Sequence, residues 1–146
     1  FDGGLRLVAV EINHRLAHAL RERREDWPGA TPENFDVWCT DFLSLTADEL
    51  GGAFDKIVMN PPFAKGADIK HVEHALTMLR PGGRLVAVVA NGPRQRSKLK
   101  PRAVEWIDLP EGAFQESGTN VNAAIVVIDA LEQQGGGEVD EAALAA

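Results

Sequence analysis

A single cysteine, Cys39, stands in 146 residues, so no disulfide can form within the chain and a reducing, cytoplasmic setting is expected. No apolar run approaches the ~20 residues that a membrane span needs, and no signal-peptide pattern opens the chain. Basic residues are the minority among the charges: 15 Lys and Arg face 22 Asp and Glu, a formal net charge of -7. That balance argues against broad, non-specific attachment to nucleic acid and leaves room for a local basic patch. Internal repeats are absent. Length and a hydrophobic share of 45% suit one soluble domain with one core.

What is present is an alternation of short apolar strands with helical patterns. Leu5–Glu11 reads as a buried strand ending on an acid, and Asn13–Arg24 carries Leu16, Ala19 and Leu20 at helical spacing. Phe35–Cys39 and Phe54–Met59 are further strands. Ile69, Val72, Ala75, Leu76 and Leu79 mark one helix face, with Arg80 in the last turn and Pro81-Gly82-Gly83 as the stop. Arg84–Ala90 is a strand, a basic loop follows, and Ala103–Leu109 and Asn122–Asp129 come last with no helical pattern between them. Such an order predicts an α/β fold: a mostly parallel sheet covered on both faces, with an antiparallel edge hairpin. Residues 1–134 read as the domain and 135–146, a Gly-led acidic Ala-rich stretch, as a flexible tail.

The strand Phe54–Met59 runs directly into Asn60-Pro61-Pro62-Phe63. Paired prolines cannot continue a ladder or a helix interior, so the chain must leave regular structure rigidly at that point. One reading is a strand stop with Phe63 filling the core; the other is a presented loop with chemistry.

Taken together, Glu11 ending one strand, Asp41 after the next and Asn60-Pro61-Pro62-Phe63 after a third resemble a class I S-adenosylmethionine-dependent methyltransferase of Rossmann-like fold. The similarity is to the amino-methylating group, which holds adenine-N6, guanine-N2 and release-factor glutamine enzymes. "LRPGGRLVAVV" and "LPEGAFQESGTNVNAAIVVID" resemble that fold's helix-to-strand passage and edge hairpin, so the resemblance runs from Leu5 to Asp129. It implies that Asn60 and the Pro61 carbonyl accept the hydrogens of a target amine, that Pro62 stiffens the loop, and that Phe63 stacks on the base. It also implies that Glu11 holds the cofactor's ribose hydroxyls and that Asp41 and Phe42 hold its adenine. The alternatives for these three are a helix N-terminal acid, a turn or cap residue, and a core ring.

The family's first βα unit with its glycine-rich cofactor loop is missing from this pattern. Gly3 and Gly4 lie directly before the first strand, whereas that loop should open a helix about 20 residues ahead of the acid. With Phe1 rather than Met at its start, the sequence is expected to be an N-terminally truncated domain that folds and binds cofactor poorly, with the absent strand leaving two apolar edges unpaired.

Arg94, Arg96, Lys98, Lys100 and Arg102 fall in one segment without an intervening acid, and Lys65 follows the proline loop. They are candidate phosphate contacts or a solvated face. His14 with His18 and His71 with His74 lack a third ligand and read as surface residues; Cys39 reads as core, and Gly118-Thr119-Asn120 as a turn. The expected function is methyl transfer to a nucleobase amine, adenine N6 in DNA first, with nucleic acid as partner and neither metal nor membrane involved. RNA bases and protein glutamine are the alternatives within the family. An inactive remnant serving as a binding module, or a nucleotide-binding oxidoreductase, are those outside it.

Overall fold

A computed structural model describes residues 4–113 and 121–132, and contacts divide the chain into two compact units between Gly52 and Ala53. In the first unit, β1 (Leu7–Val10) pairs in parallel with β2 (Phe35–Trp38), register running from Leu7↔Phe35 to Val10↔Trp38. Helix α1 (His14–Glu25) makes the crossover. It starts at Asn13, whose Oδ1 accepts the Arg15 and Leu16 N–H groups, and ends with Arg23 and Arg24 beside the negative end of the helix dipole. Ala17 of α1 is fully buried with Phe35 and Val37, and Trp27 meets Phe35 edge-on at 5.1 Å between ring centroids.

In the second unit, the strand order is β3 (Phe54–Met59), β4 (Leu79–Ala90), β6 (Ala123–Asp129) and β5 (Glu105–Asp108). β3 and β4 are parallel, bridged by α2 (Ala67–Leu76); β4–β6 and β6–β5 are antiparallel. The expected α/β class with an antiparallel edge is therefore present. Leu85, Ala87 and Val89 bury alternate positions of β4, and α2 buries Ile69, Val72 and Ala75. β6 buries both of its faces, through Ala123, Ala124, Val126, Val127 and Ile128, as its continuous apolar run implies. Among the described residues β1 bonds only to β2 and β3 only to β4, so each keeps an open edge.

The expected helix stop at Arg80 is incorrect. α2 ends at Leu76, and Leu79 through Ala90 is strand. The Phe54 N–H bonds to the Met78 carbonyl and Arg80 reaches Asp55 at 3.1 Å, so these residues join β3 instead of continuing the helix. Between Phe54↔Leu79 and Lys56↔Arg84 the register shifts, and Pro81-Gly82-Gly83 forms the resulting bulge. Gly82 sits at φ 76, and a Cβ on Gly83 would lie 2.9 Å from the Arg80 carbonyl oxygen and 3.0 Å from that of Asp55. The basic segment is not a loop either: it forms α3 (Pro93–Lys98) and a 3-10 turn over Lys100–Arg102. Pro93 at the first helical position pre-sets φ, which a loop reading of the basic residues overlooks. The Gly118–Asn120 turn and the 135–146 tail lie outside the described residues.

Gly83→Ala should lower stability by about 1–3 kcal/mol, because two backbone oxygens would have to move. A urea midpoint equal to that of the parent would show that the bulge relaxes without cost.

Candidate active site

Parallel pairing brings the carboxyl ends of β3 and β4 to one rim. Asn60 leaves β3 there, and Asn91-Gly92 leave β4. Asn60 and Pro62 are exposed, Pro61 is buried and Phe63 is half-buried. The loop thus anchors one ring inward and turns the amide outward, with φ at both prolines fixed by their rings. A 3-10 turn over Ala64–Gly66 then reverses the chain into α2. Two consecutive residues in this turn have positive φ, Lys65 at 55 and Gly66 at 74.

The rim is held from behind by an acid that the sequence does not flag. Asp68, in the first turn of α2, is fully buried. Its Oδ2 accepts the Ala90 N–H at 2.8 Å, and its Oδ1 accepts the Ile69 N–H at 2.9 Å. Gln95 Nε2 donates to both oxygens at 3.1 and 3.2 Å. One carboxylate therefore joins α2, the end of β4 and α3. A Cβ on Gly92 would lie 2.8 Å from Gln95 Oε1, so glycine there lets Gln95 tuck under its own helix. In the sequence, Asp68 looks like an ordinary exposed acid at a helix start, and only the tertiary partners distinguish it.

Lys65, Gly66, Pro93, Arg94 and Gln95 line one open pocket, so Lys65 and Arg94 converge although they are distant in sequence. Arg96, Lys98 and Arg102 are exposed, and Lys100 Nζ lies 5.9 Å from the centre of the Trp106 ring. On the same edge, Asn91 Nδ2 donates to Asp108 Oδ1 at 2.7 Å and Trp106 Nε1 donates to it at 3.1 Å. Those two bonds, with Lys100 and Arg96 nearby, hold the Asp108 carboxyl below the usual aspartate range. The Oδ1 of Asn91 is buried with no partner among the described residues.

The other sequence-predicted residues belong to the first unit. Glu11 and Asp41 follow β1 and β2, whose carboxyl ends are adjacent, with the Glu11 N–H bonded to the Trp38 carbonyl. Glu11 Oε1 accepts the Asn13 N–H at 3.0 Å, and Asp41 Oδ1 caps the 3-10 turn Phe42–Ser44 through the Leu43 N–H at 3.0 Å. Each acid keeps a second carboxylate oxygen. Two acceptors on one rim can hold a diol and an amine. Phe42 is half-buried. Cys39 lies past the end of β2, half-buried and packed against the Ala17, Phe35 and Val37 core, with Sγ 3.3 Å from His14 Nδ1. His18 pairs with Glu22 at 3.2 Å on the surface of α1.

The sequence pattern of the methyltransferase small domain matches residues 3–135. The chain belongs to the methyltransferase small domain family. By that membership it is of the S-adenosylmethionine-dependent methyltransferase class, S-adenosylmethionine being the cofactor of the family. The fold of this methyltransferase domain is similar to that of the N-methyltransferase NodS from Bradyrhizobium japonicum, solved with S-adenosyl-L-homocysteine. TM-score is 0.62 and identity 18%, over 87% of this chain and 67% of that one. A proposed RNA methyltransferase, PH1948 from Pyrococcus horikoshii, aligns with TM-score 0.62 and 16% identity over 88% of this chain and 65% of that one. The cyclase SpnF aligns with TM-score 0.64 and 13% identity, over 90% of this chain and 68% of that one. The chain thus spans about two thirds of the length of these proteins. No curated protein matches it in sequence. Among the described residues no helix is long and apolar enough to cross a membrane, and no cluster of three or more metal-binding side chains occurs.

Asp68→Ala should destabilise the methyltransferase domain by about 3 kcal/mol, since the Ala90 N–H and the Gln95 amide lose their buried acceptor. Asp68→Asn, which keeps one acceptor oxygen, should lose less. Equal urea midpoints for parent and Asp68→Ala would refute the lock.

Proposed function

We propose that this domain methylates an exocyclic amine of a nucleobase, with adenine N6 in DNA as the leading substrate. The observation that carries the reading is the exposed Asn60 on a proline-stiffened loop, with the half-buried Phe63 three residues on. A base amine is a poor nucleophile because its lone pair is delocalised into the ring. Asn60 Oδ1 and the Pro61 carbonyl would accept its two hydrogens, localise the lone pair and aim it. Little conformational freedom is lost on binding, because the prolines have already fixed the loop. Phe63 would stack on the base, worth ~1–3 kcal/mol for such contacts, and a base within a duplex must first flip out.

Glu11 and Asp41 fit the cofactor's ribose diol and adenine amine, since each retains a carboxylate oxygen beyond the one that caps its own loop. Phe42 would pack near the adenine ring. When bound, S-adenosylmethionine supplies a methyl carbon on cationic sulfur, and transfer forms the N–C bond as the C–S pair returns to sulfur. The surplus amine proton leaves through its hydrogen bond to Asn60 or Pro61 and passes to water. No strong base is required before attack.

Lys65, Arg94, Arg96, Lys98 and Lys100 support a nucleic-acid substrate over a protein glutamine, whose amide poses the same delocalisation problem but brings no phosphates. RNA is the second reading, favoured by the name of the PH1948 neighbour.

Asn60→Ala should slow methyl transfer to an adenine-containing oligonucleotide by about 10²–10³-fold while leaving S-adenosylmethionine affinity intact, as for loss of one preorganised polar contact. An unchanged rate would remove Asn60 from the mechanism. A parent chain that binds the cofactor yet methylates no nucleic acid would support the binding-module alternative.

A further inference from the structure

Lys65 is the one residue other than glycine with positive φ among the described residues. A left-handed backbone crowds any side chain bearing a Cβ, and glycine would take the conformation freely. Strain of this kind persists where the neighbouring structure enforces it, and it clusters at functional sites. Lys65 is exposed, and among the described residues neither its side chain nor that of Arg94 makes an ion pair or hydrogen bond. Both line one open pocket, and no acid lines it with them. The acid behind its wall, Asp68, is fully buried with both oxygens bonded, so it is not positioned to pair with either cation. Gly66 allows the convergence: a Cβ there would lie 2.9 Å from Arg94 Nη1, so the guanidinium lies over a residue without a side chain.

We infer that Lys65 and Arg94 form a subsite for one phosphodiester of the substrate strand, next to the base held at Asn60. This inference rests on the nucleobase reading above and deepens it. Arg94 offers a planar fork that matches two phosphate oxygens, and Lys65 adds a point charge to the same pocket. Lys65 and Gly66, which line the pocket, follow the proline loop by two and three residues, so the phosphate would set the register of the strand while Asn60 and Phe63 read the base.

The test uses the full chain and a short fluorescent single-stranded oligonucleotide with one adenine, its affinity measured across salt concentrations. Lys65→Gly and Arg94→Gln should each reduce the log–log salt slope by about 0.7. Lys65→Gly should do so while its urea midpoint holds or rises, which separates lost binding from lost folding. Gly66→Ala retains every charge and should still weaken binding by displacing Arg94. Lys56→Gln, the same charge change on β3, should leave the slope unchanged. Replacing the phosphodiester beside the adenine with a neutral methylphosphonate should weaken binding several-fold for the parent and not for the double variant. If the parent methylates adenine but the double variant keeps its slope and its methylphosphonate effect, the subsite is refuted and the nucleobase reading stands. If the parent neither binds nor methylates the oligonucleotide, both are refuted.

Discussion

The carboxylate of Asp68 has no exposed surface, and it draws on donors from three separate elements: the first turn of α2, the last residue of β4 and Gln95 of α3. Burial of an acid is tolerated only when its oxygens are hydrogen-bonded, so the three donors must be brought together for the unit to fold. That requirement fixes where α2 begins relative to β4, and with it the path of the loop from Asn60 to Gly66. It also fixes α3, whose first turn carries Arg94. Rim geometry is thus determined by a residue that would touch no substrate.

Two parallel strand pairs each end in a loop that carries polar chemistry. After β1 and β2 come Glu11 and Asp41; after β3 and β4 come Asn60 and the basic helix. Ligand sites in α/β sheets lie outside the carboxyl ends of strands, and both sets of residues follow such ends. Proteins named as an N-methyltransferase and as a cyclase share the fold, so architecture alone does not select a reaction. The amine reading rests instead on the exposed Asn60 and the proline-stiffened loop that carries it.

Much of the element order was legible in the sequence because short apolar runs bounded by turn residues read as strands, although β1 and β3 hold no buried residue and Val58 is 83% exposed. Phe54–Met59 and the core of the last strand emerged with nearly the expected bounds. Helix α1 was marked by Asn13, whose cap is a local interaction. Errors arose where tertiary contacts override local signals. Leu79 matched the helical period of α2, yet Phe54 and Asp55 recruit residues 78–80 into the sheet, and the glycines that resemble a helix stop make a bulge. Cys39 packs at the margin of the core, where β2 has ended and His14 is beside it, so it is only half-buried. Asp68 could not be recognised at all, since burial of a carboxylate depends on partners 22 and 27 residues away.

The central claim is that the Asn60 loop directs a methyl group to nitrogen of a base. Incubation of the chain with methyl-labelled S-adenosylmethionine and adenine-containing DNA or RNA, followed by digestion to nucleosides and mass spectrometry, locates the label directly. The account predicts label on the exocyclic amine of adenine. Label on a ring carbon or a ribose oxygen would contradict it.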